Sequence, residues 1–311
     1  SFFISGIILY TVVFLSLLFL IQQFFFRAQN ENNVIKTVSP ISYPAPRPIS
    51  AKKSSSWSLL LTGDVIPARV VNQKMAAKGD FMWPLVNIAP ILKDADLTLI
   101  NLESPLINNC PITNEGFKFC GEDDFAKSLS EVGVDVANLA NNHSLNFGWE
   151  AIGQTQQVLK SNGIETTGFS NVIPGGDPGS RFFLDSLRQL ADRGNDNIND
   201  IFHCQNDIHC SSFLIREVRG IKLGFLGYNA VGQRVNRETV KQQVETADKL
   251  ADILIISIHW GKEYTRSPQP DLSLAPDDPK EIGHLLIDWG ADIVAGNHPH
   301  WYQSMEYYLS K

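Results

Sequence analysis

Hydrophobic and polar positions divide the chain into three regimes. The first, "SFFISGIILYTVVFLSLLFLIQQFFF", has no charged residue and no polar stripe. Roughly 20 apolar residues cross a bilayer as a helix, and a helix buried in a soluble body would keep a polar face. Residues 1–26 are therefore expected to form a single transmembrane anchor. A cleaved leader is the rival, but the run is long for a signal peptide, and no small-x-small site follows in "FFFRAQNEN". Residues 27–56 contain Pro40, Pro44, Pro46 and Pro48, closing serines and few large apolar side chains, the composition of a semi-extended linker.

From residue 57 to 311 the pattern alternates. "WSLLLTG", "LTLINLE", "VDVANLA", "ILIISIHWG" and "ADIVAGN" are short apolar runs that read as buried strands, and "FLIREVRGIKLGFLGY" reads as a hairpin. Between them, "DDFAKSLSEVG", "WEAIGQTQQVLKSNG", "RETVKQQVETADKLA" and "DPKEIGHLLIDWG" carry apolar residues at helical spacing, and three of these four stop at Gly. Strands alternating with helices predict an α/β layered fold. Residues 171–211 break the rhythm and are expected to be an insertion.

Composition changes this picture in two places. The net charge of -7 lacks the basic footprint of a nucleic-acid binder, so no nucleic-acid partner is expected, and an anionic substrate would need local cationic help from a metal or from placed Arg and Lys. The four cysteines fall into two close pairs, Cys110 with Cys120 and Cys204 with Cys210. They read as two local disulfides in an oxidising compartment, with unpaired thiols as the alternative; the spacings are too wide for zinc knuckles.

The candidate chemistry stands just after the predicted strands. Asp64 follows "LLLTG", Glu103 ends "LTLINLE", and Asn141, Asn142 and His143 follow "VDVANLA". His259 ends "ILIISIH", and His298 and His300 follow "ADIVAG". In an open α/β sheet, ligands bind beyond the carboxyl ends of the strands, so these residues are expected to converge at one edge of one sheet. A carboxylate, amide and imidazole set without Cys suits Zn, Mn or Fe and argues against a purely structural zinc site. A GxSxG elbow, a Walker loop and a GxGxxG turn after a strand are all missing from the sequence.

The segments "TGDVIPAR", "LINLESPL", "ANLANNHSLNFG", "SIHWGKEY" and "AGNHPHWYQ" resemble, in this order, the CapA-like proteins of capsule and poly-γ-glutamate synthesis, relatives of the calcineurin-like metallophosphoesterases. The resemblance runs from about residue 57 to 311. It implies a metallophosphoesterase-like arrangement of sheets and flanking helices, held outside the cytoplasmic membrane by the anchor alongside other capsule-synthesis membrane proteins. It further implies one or two divalent metal ions held by Asp64, Glu103, Asn142, His259, His298 and His300. His143 would act as general acid or orient the substrate, and Arg69, Asn141 and Lys262 would hold an anionic polymer or phosphorylated substrate. The implied reaction is metal-assisted hydrolysis at a phosphoryl or acyl centre, since a bound divalent ion lowers the pKa of water to about 7. The alternative is an assembly or polymer-handling subunit that keeps the fold without turnover. The chain departs from the pattern at Asn146, where Asp is usual, and at Asn297, where a further His is common. It stops at Lys311, before a "GNF" strand that the resemblance implies.

Overall fold

The structure is a computed structural model, described here for residues 56–169 and 211–309. Contacts divide the chain into Ser1–Ser54 and Ser55–Lys311, and every described residue belongs to the second unit. The expected anchor, nearly all of the linker and of the insertion, and Cys204 and Cys210 lie outside the described residues. Among the described residues no helix is long and apolar enough to cross a membrane.

Two four-stranded sheets form the frame. The first has the order β1 (Leu59–Val65), β2 (Leu97–Leu102), β5 (Val136–Asn138) and β6 (Glu165–Thr167), all parallel. The second has the order β10 (Ile293–Asn297), β9 (Ile253–His259), β8 (Ile221–Asn229) and β7 (Leu214–Val218); its only antiparallel pair is the β7–β8 hairpin. A short parallel ladder joins β3 (Leu106–Ile107) to β4 (Gly121–Glu122). The helices are α1 (Val70–Lys78), α2 (Ala89–Asp94), α3 (Phe125–Glu131), α4 (Gly148–Ser161), α5 (Arg237–Asp248) and α6 (Pro279–Asp288).

Side-chain alternation along each strand builds the layers. Leu97 and Leu99 of β2 pack with Val136, Leu223, Phe225 and Ile255 in a core between the two sheets. The intervening Ile100 and Leu102 pack with Leu129, Ile152 and Leu159 of α3 and α4 on the outer face of the first sheet. Leu254, Ile256 and Ile258 of β9 pack likewise with Val240, Val244, Ile282 and Leu286 of α5 and α6. The order is helices, sheet, sheet, helices, which explains why these strands are apolar on both faces. Each such Leu, Ile or Phe contributes roughly 1.5–3 kcal/mol on burial.

The four helices and the hairpin expected from periodicity are present, with boundaries shifted by a few residues. Helices α1 and α2, strand β6 and the β3–β4 ladder were not legible. Helix α1 buries only Asn72 and Met75, which leaves no apolar stripe to read. Strand β1 also runs past its expected end at Gly63, because of a bulge. Leu61 pairs with Leu99 but Asp64 with Asn101, so β1 uses one residue more than β2 over that interval. An extra residue reverses the facing of everything beyond it. Asp64, which would otherwise share the outer face with Leu60, sits opposite Asn101 on the inter-sheet side.

Close approach between the sheets requires Gly227 of β8. A Cβ there would lie 2.0 Å from Asn138 Oδ1 on the other sheet, whereas one at Gly63 would meet nothing within 4 Å. Gly227→Ala is therefore expected to lower stability by about 1–3 kcal/mol or more by overpacking, while Gly63→Ala changes it by less than about 0.5 kcal/mol. Urea unfolding midpoints check the pair; equal midpoints would contradict this account of the seam.

Candidate metal centre

Along the inter-sheet face the same alternation that begins with leucine ends in polar groups. Leu97 and Leu99 are followed on that face by Asn101 and Glu103, Val136 by Asn138, Ile253 and Ile255 by Ser257 and His259, and Ile293 and Ala295 by Asn297. The core is thus apolar in its middle and polar at the carboxyl ends of both sheets. This corrects the expectation of one sheet edge: Asp64, Glu103 and the Asn141–His143 loop come from the first sheet, and His259, His298 and His300 from the second.

The atoms meet at the seam. His300 Nδ1 lies 3.0 Å from Asp64 Oδ2, His259 Nδ1 lies 3.7 Å from Asp64 Oδ1, and His259 Nε2 lies 3.5 Å from Glu103 Oε1. His143 Nε2 is 3.8 Å from the same Glu103 oxygen. Two triads, Asp64–Glu103–His259 and Glu103–His298–His300, each place one potential ligand atom per residue within 4.8 Å of the others. Metal–N and metal–O bonds are about 2.0–2.2 Å, so ligands of one ion lie up to roughly 4.4 Å apart and these groups are at or near that reach.

Several of these groups are buried without a hydrogen-bond partner: both Glu103 oxygens, both His298 ring nitrogens, His259 Nε2 and Asn142 Oδ1. An unpaired buried polar atom costs roughly 1–3 kcal/mol, and more when charged. The electrostatics reflect this. Burial, reinforced by nearby Asp64, pushes the Glu103 carboxyl up to about 8. Burial holds His259 down at about 4 against the pull of Asp64. Burial, together with His259 and His300, holds His298 at about 3. For Asp64 burial is outweighed by the His300 hydrogen bond, His259 and Asn101, which hold it at about 2. His300 is raised, first by that bond to Asp64. Without a cation the site stores one protonated carboxylic acid and two forcibly neutral imidazoles; neutral nitrogens and oxygen donors are what a divalent ion binds.

A chain of amides beneath the cluster orients these side chains. The Ala140 N–H donates to Asn138 Oδ1 (3.1 Å), so Asn138 Nδ2 faces Asn101 Oδ1 (3.1 Å) and Ser257 Oγ (3.1 Å). Asn297 Nδ2 reaches the same Ser257 hydroxyl at 3.0 Å. Asn101 Nδ2 then donates to Asp64 Oδ1 (2.7 Å) and faces His259 Nδ1 at 3.2 Å. The network ties the two sheets together where their apolar contact ends. The loop past β10 is strained: His298 has φ 90° and His300 φ 55°. It is held by the His298 N–H donating to Asp64 Oδ2 (3.1 Å) and by the Tyr264 N–H donating to the Pro299 carbonyl (2.8 Å). Such conformations cost on the order of 1–3 kcal/mol each and collect where geometry is being imposed.

The remaining sequence candidates have distinct placements. Arg69 (φ 56°) has its Nε buried and unbonded and one Nη donating to the Asn114 carbonyl at 3.4 Å. Asn141 is 3% exposed. Its Nδ2 donates to the Leu102 carbonyl and its Oδ1 accepts from Ser144 and the His143 N–H, so its side chain clamps the loop. Lys262 is exposed and lies near Asp271, whose carboxyl it helps to lower after the Ser273 hydrogen bonds. His284 pairs with Glu306 and stacks on Tyr308. His203 and His209 lie outside the described residues. Asn101, Asn138 and Glu263 were missed by sequence reasoning. Glu263 stands 3.9 Å from His298 Nε2 and 3.8 Å from His300 Nε2, and its place beside His259 in "HWGKEY" was the signal available. Cys110 and Cys120 form the expected disulfide.

A profile of the family described as "Bacterial capsule synthesis protein PGA_cap" matches residues 58–172 and 205–311; the chain belongs to this family. It is 21% identical over 286 residues to a "Capsule biosynthesis protein CapA" of Bacillus anthracis, covering 85% of this chain and 59% of that protein. It is also 21% identical over 267 residues to the "PGA biosynthesis protein CapA" of Bacillus subtilis (strain 168), covering 81% and 59%. The chain thus spans about three-fifths of the length of these relatives. A hypothetical protein from Thermus thermophilus aligns in structure with a TM-score of 0.40 at 16% identity, covering 78% of this chain and 68% of that one.

The Glu103 environment has a sign that can be measured. Its folded pKa of about 8 lies above the ordinary 4.5, so between these values the folded state holds a proton that the unfolded state has released, and stability falls as pH rises. Glu103→Gln cannot titrate. With chelator present, the stability of the variant relative to wild type is expected to rise across pH 5–8, by about 1.4 kcal/mol per pH unit at most. Urea unfolding over that range checks this, and a flat difference would contradict a buried, protonated Glu103.

Proposed function

We propose that the domain is a metal-dependent hydrolase of the metallophosphoesterase type that serves capsule or poly-γ-glutamate synthesis from the outer face of the cell membrane, tethered there by residues 1–26. One observation carries the reading. Carboxylate and imidazole donor atoms from four strand ends lie close together, and those of Glu103 and His298, with His259 Nε2, are buried and unbonded, a poor bargain for a protein unless a cation completes them. The donor set fits one or two Mn, Zn or Fe ions. Asp64, Glu103, Asn142, His259, His298 and His300 would hold them, and Glu263 is near enough to join.

Bound there, the ion supplies an acidified water and neutralises charge that develops on the substrate. The protein's own groups do the rest. Arg69, on the loop after β1 with a buried free N–H, is suited to hold an anionic group of the substrate, with Lys262 and Asn141 as the weaker candidates given their placements. His143, at the edge of the cluster with Nε2 toward Glu103, is placed to orient the substrate or, once protonated at Nε2, to pass that proton to a leaving oxygen. The buried seam below Glu103 excludes bulk water and strengthens these interactions. Anionic polymer or phosphorylated intermediates are the substrate class that this charge arrangement suits.

A second reading is favoured by the relatives' names, which describe synthesis rather than hydrolysis: a polymer-handling subunit that keeps the metal and turns nothing over. The full chain in detergent, loaded with Mn²⁺ or Zn²⁺, is expected to cleave bis(p-nitrophenyl) phosphate. His143→Gln should lower kcat by about 10²–10⁴-fold with unchanged metal content. Bound metal without turnover of this or a phosphomonoester would favour the polymer-handling reading.

A further inference from the structure

His143 is held by a residue that belongs to a disulfide-closed loop, and the hydrogen bonds around it fix which ring nitrogen carries the proton. Asn146 Oδ1 lies 2.7 Å from the Phe119 backbone nitrogen and 3.0 Å from His143 Nδ1. A peptide N–H can only donate, so the amide atom beside it is the oxygen. That oxygen can only accept, so His143 Nδ1 must also bring a hydrogen. A neutral imidazole protonated on Nδ1 has its lone pair on Nε2, the atom that lies 3.8 Å from Glu103 Oε1. The Phe119 ring stacks on the imidazole, with centroids 3.9 Å apart and planes 21° from parallel.

Phe119 in turn is fixed from its C-terminal side. Cys120 follows it and bonds to Cys110, Gly121 donates to the Pro105 carbonyl at 2.9 Å, and β4 pairs with β3. Both cysteines pack with Ile107 and Ala151. The span between the cysteines gives little support of its own: residues 111–118 form no strand or helix, with Ile112 51% and Phe117 83% exposed. Of the chain leading into Phe119, the disulfide is the covalent tie to the core, beside the Arg69 bond to the Asn114 carbonyl and the Lys118 ammonium over the Phe147 ring.

We infer that Phe119 and Asn146 are positioning residues that hold His143 as its Nδ1–H tautomer, lone pair toward the ligand cluster, and that the Cys110–Cys120 disulfide keeps Phe119 in place to do so. The inference rests on the reading of His143 as the proton-handling group, but its primary readout needs no turnover. Asn146 keeps the acceptor function that an Asp would have at this position, without adding charge. Asn146→Asp should therefore preserve the tautomer, and Asn146→Leu should abolish it. The disulfide makes the arrangement sensitive to reductants, because breaking it removes the covalent tie of the loop that carries Phe119.

The test is long-range ¹H–¹⁵N spectroscopy of ¹⁵N-histidine-labelled full chain in detergent, with chelator, at a pH where imidazole is neutral; His143→Gln assigns the signal. The wild type and Asn146→Asp are expected to show Nδ1–H with an unprotonated Nε2. Asn146→Leu should shift His143 toward the Nε2–H form. Phe119→Leu, which keeps apolar bulk, and reduction of the disulfide should each remove the upfield ring-current shift of the His143 carbon-bound protons. If the reduced protein unfolds, Phe119→Leu alone decides the positioning claim. Where turnover is found, Asn146→Leu should lower kcat about 10–100-fold, as loss of a histidine's orienting partner does, with KM little changed. An Nε2–H tautomer in the wild type, or a folded reduced protein with unaltered His143 signals, would overturn the inference. An Nδ1–H tautomer in a protein without turnover would leave it standing and remove only the hydrolase reading.

Discussion

The fold is organised around a carboxylate that it cannot satisfy by itself. Glu103 lies 1% exposed at the end of the inter-sheet core, both oxygens unbonded, with the negative Asp64 nearby and His259 and His143 a little beyond hydrogen-bond range. Taking a carboxylate out of water costs several kcal/mol unless something charged or hydrogen-bonding replaces the solvent. In the absence of a cation the protein meets the cost by keeping Glu103 protonated and His259 and His298 neutral. A divalent ion would replace that proton and use each neutral nitrogen. The polar end of the core is then a set of donors assembled in advance, as a site needing little reorganisation on binding requires.

Much of the surrounding structure serves that assembly. The bulge in β1 turns Asp64 to the inter-sheet side. Gly227 leaves room for the Asn138 amide, which passes orientation from a backbone N–H through Asn101 to Asp64 and His259. The strained turn at His298 and His300 brings two imidazoles to one point from a single strand end. The disulfide-closed loop brings Phe119 against His143. Rigid sheets supply the inner polar side chains of the cluster and short tethered loops the outer ones, a usual division between scaffold and site.

Strand-end polar residues were legible from sequence because a buried run such as "ILIISIH" has one reason to end in histidine and many to end otherwise. That several strands did so at once pointed to a shared site. Two things hid the rest. Facing is invisible when both sides of a strand are apolar, so the two-sheet seam and the stripe from Leu97 through Asn101 to Glu103 could not be separated from a single open sheet. A one-residue bulge leaves no mark in composition, although "TGD" supplied the glycine. Asn101 and Asn138 read as ordinary strand-end polar residues, because an amide's partners are set by tertiary contact. Lys262 and Asn141 were drawn to the site by neighbouring motif residues, whereas the first is exposed near Asp271 and the amide of the second is taken up by β2 and by its own loop.

The central claim is that this cluster is a metal centre, and metal stoichiometry tests it most directly. The full chain, purified in detergent, incubated in turn with Mn²⁺, Zn²⁺ and Fe²⁺ and then dialysed, should retain between one and two equivalents of at least one of them by elemental analysis, and His259→Ala/His298→Ala should retain almost none while staying folded. A wild-type protein that keeps less than about a tenth of an equivalent of every metal, and unfolds at the same temperature with and without them, would contradict the account.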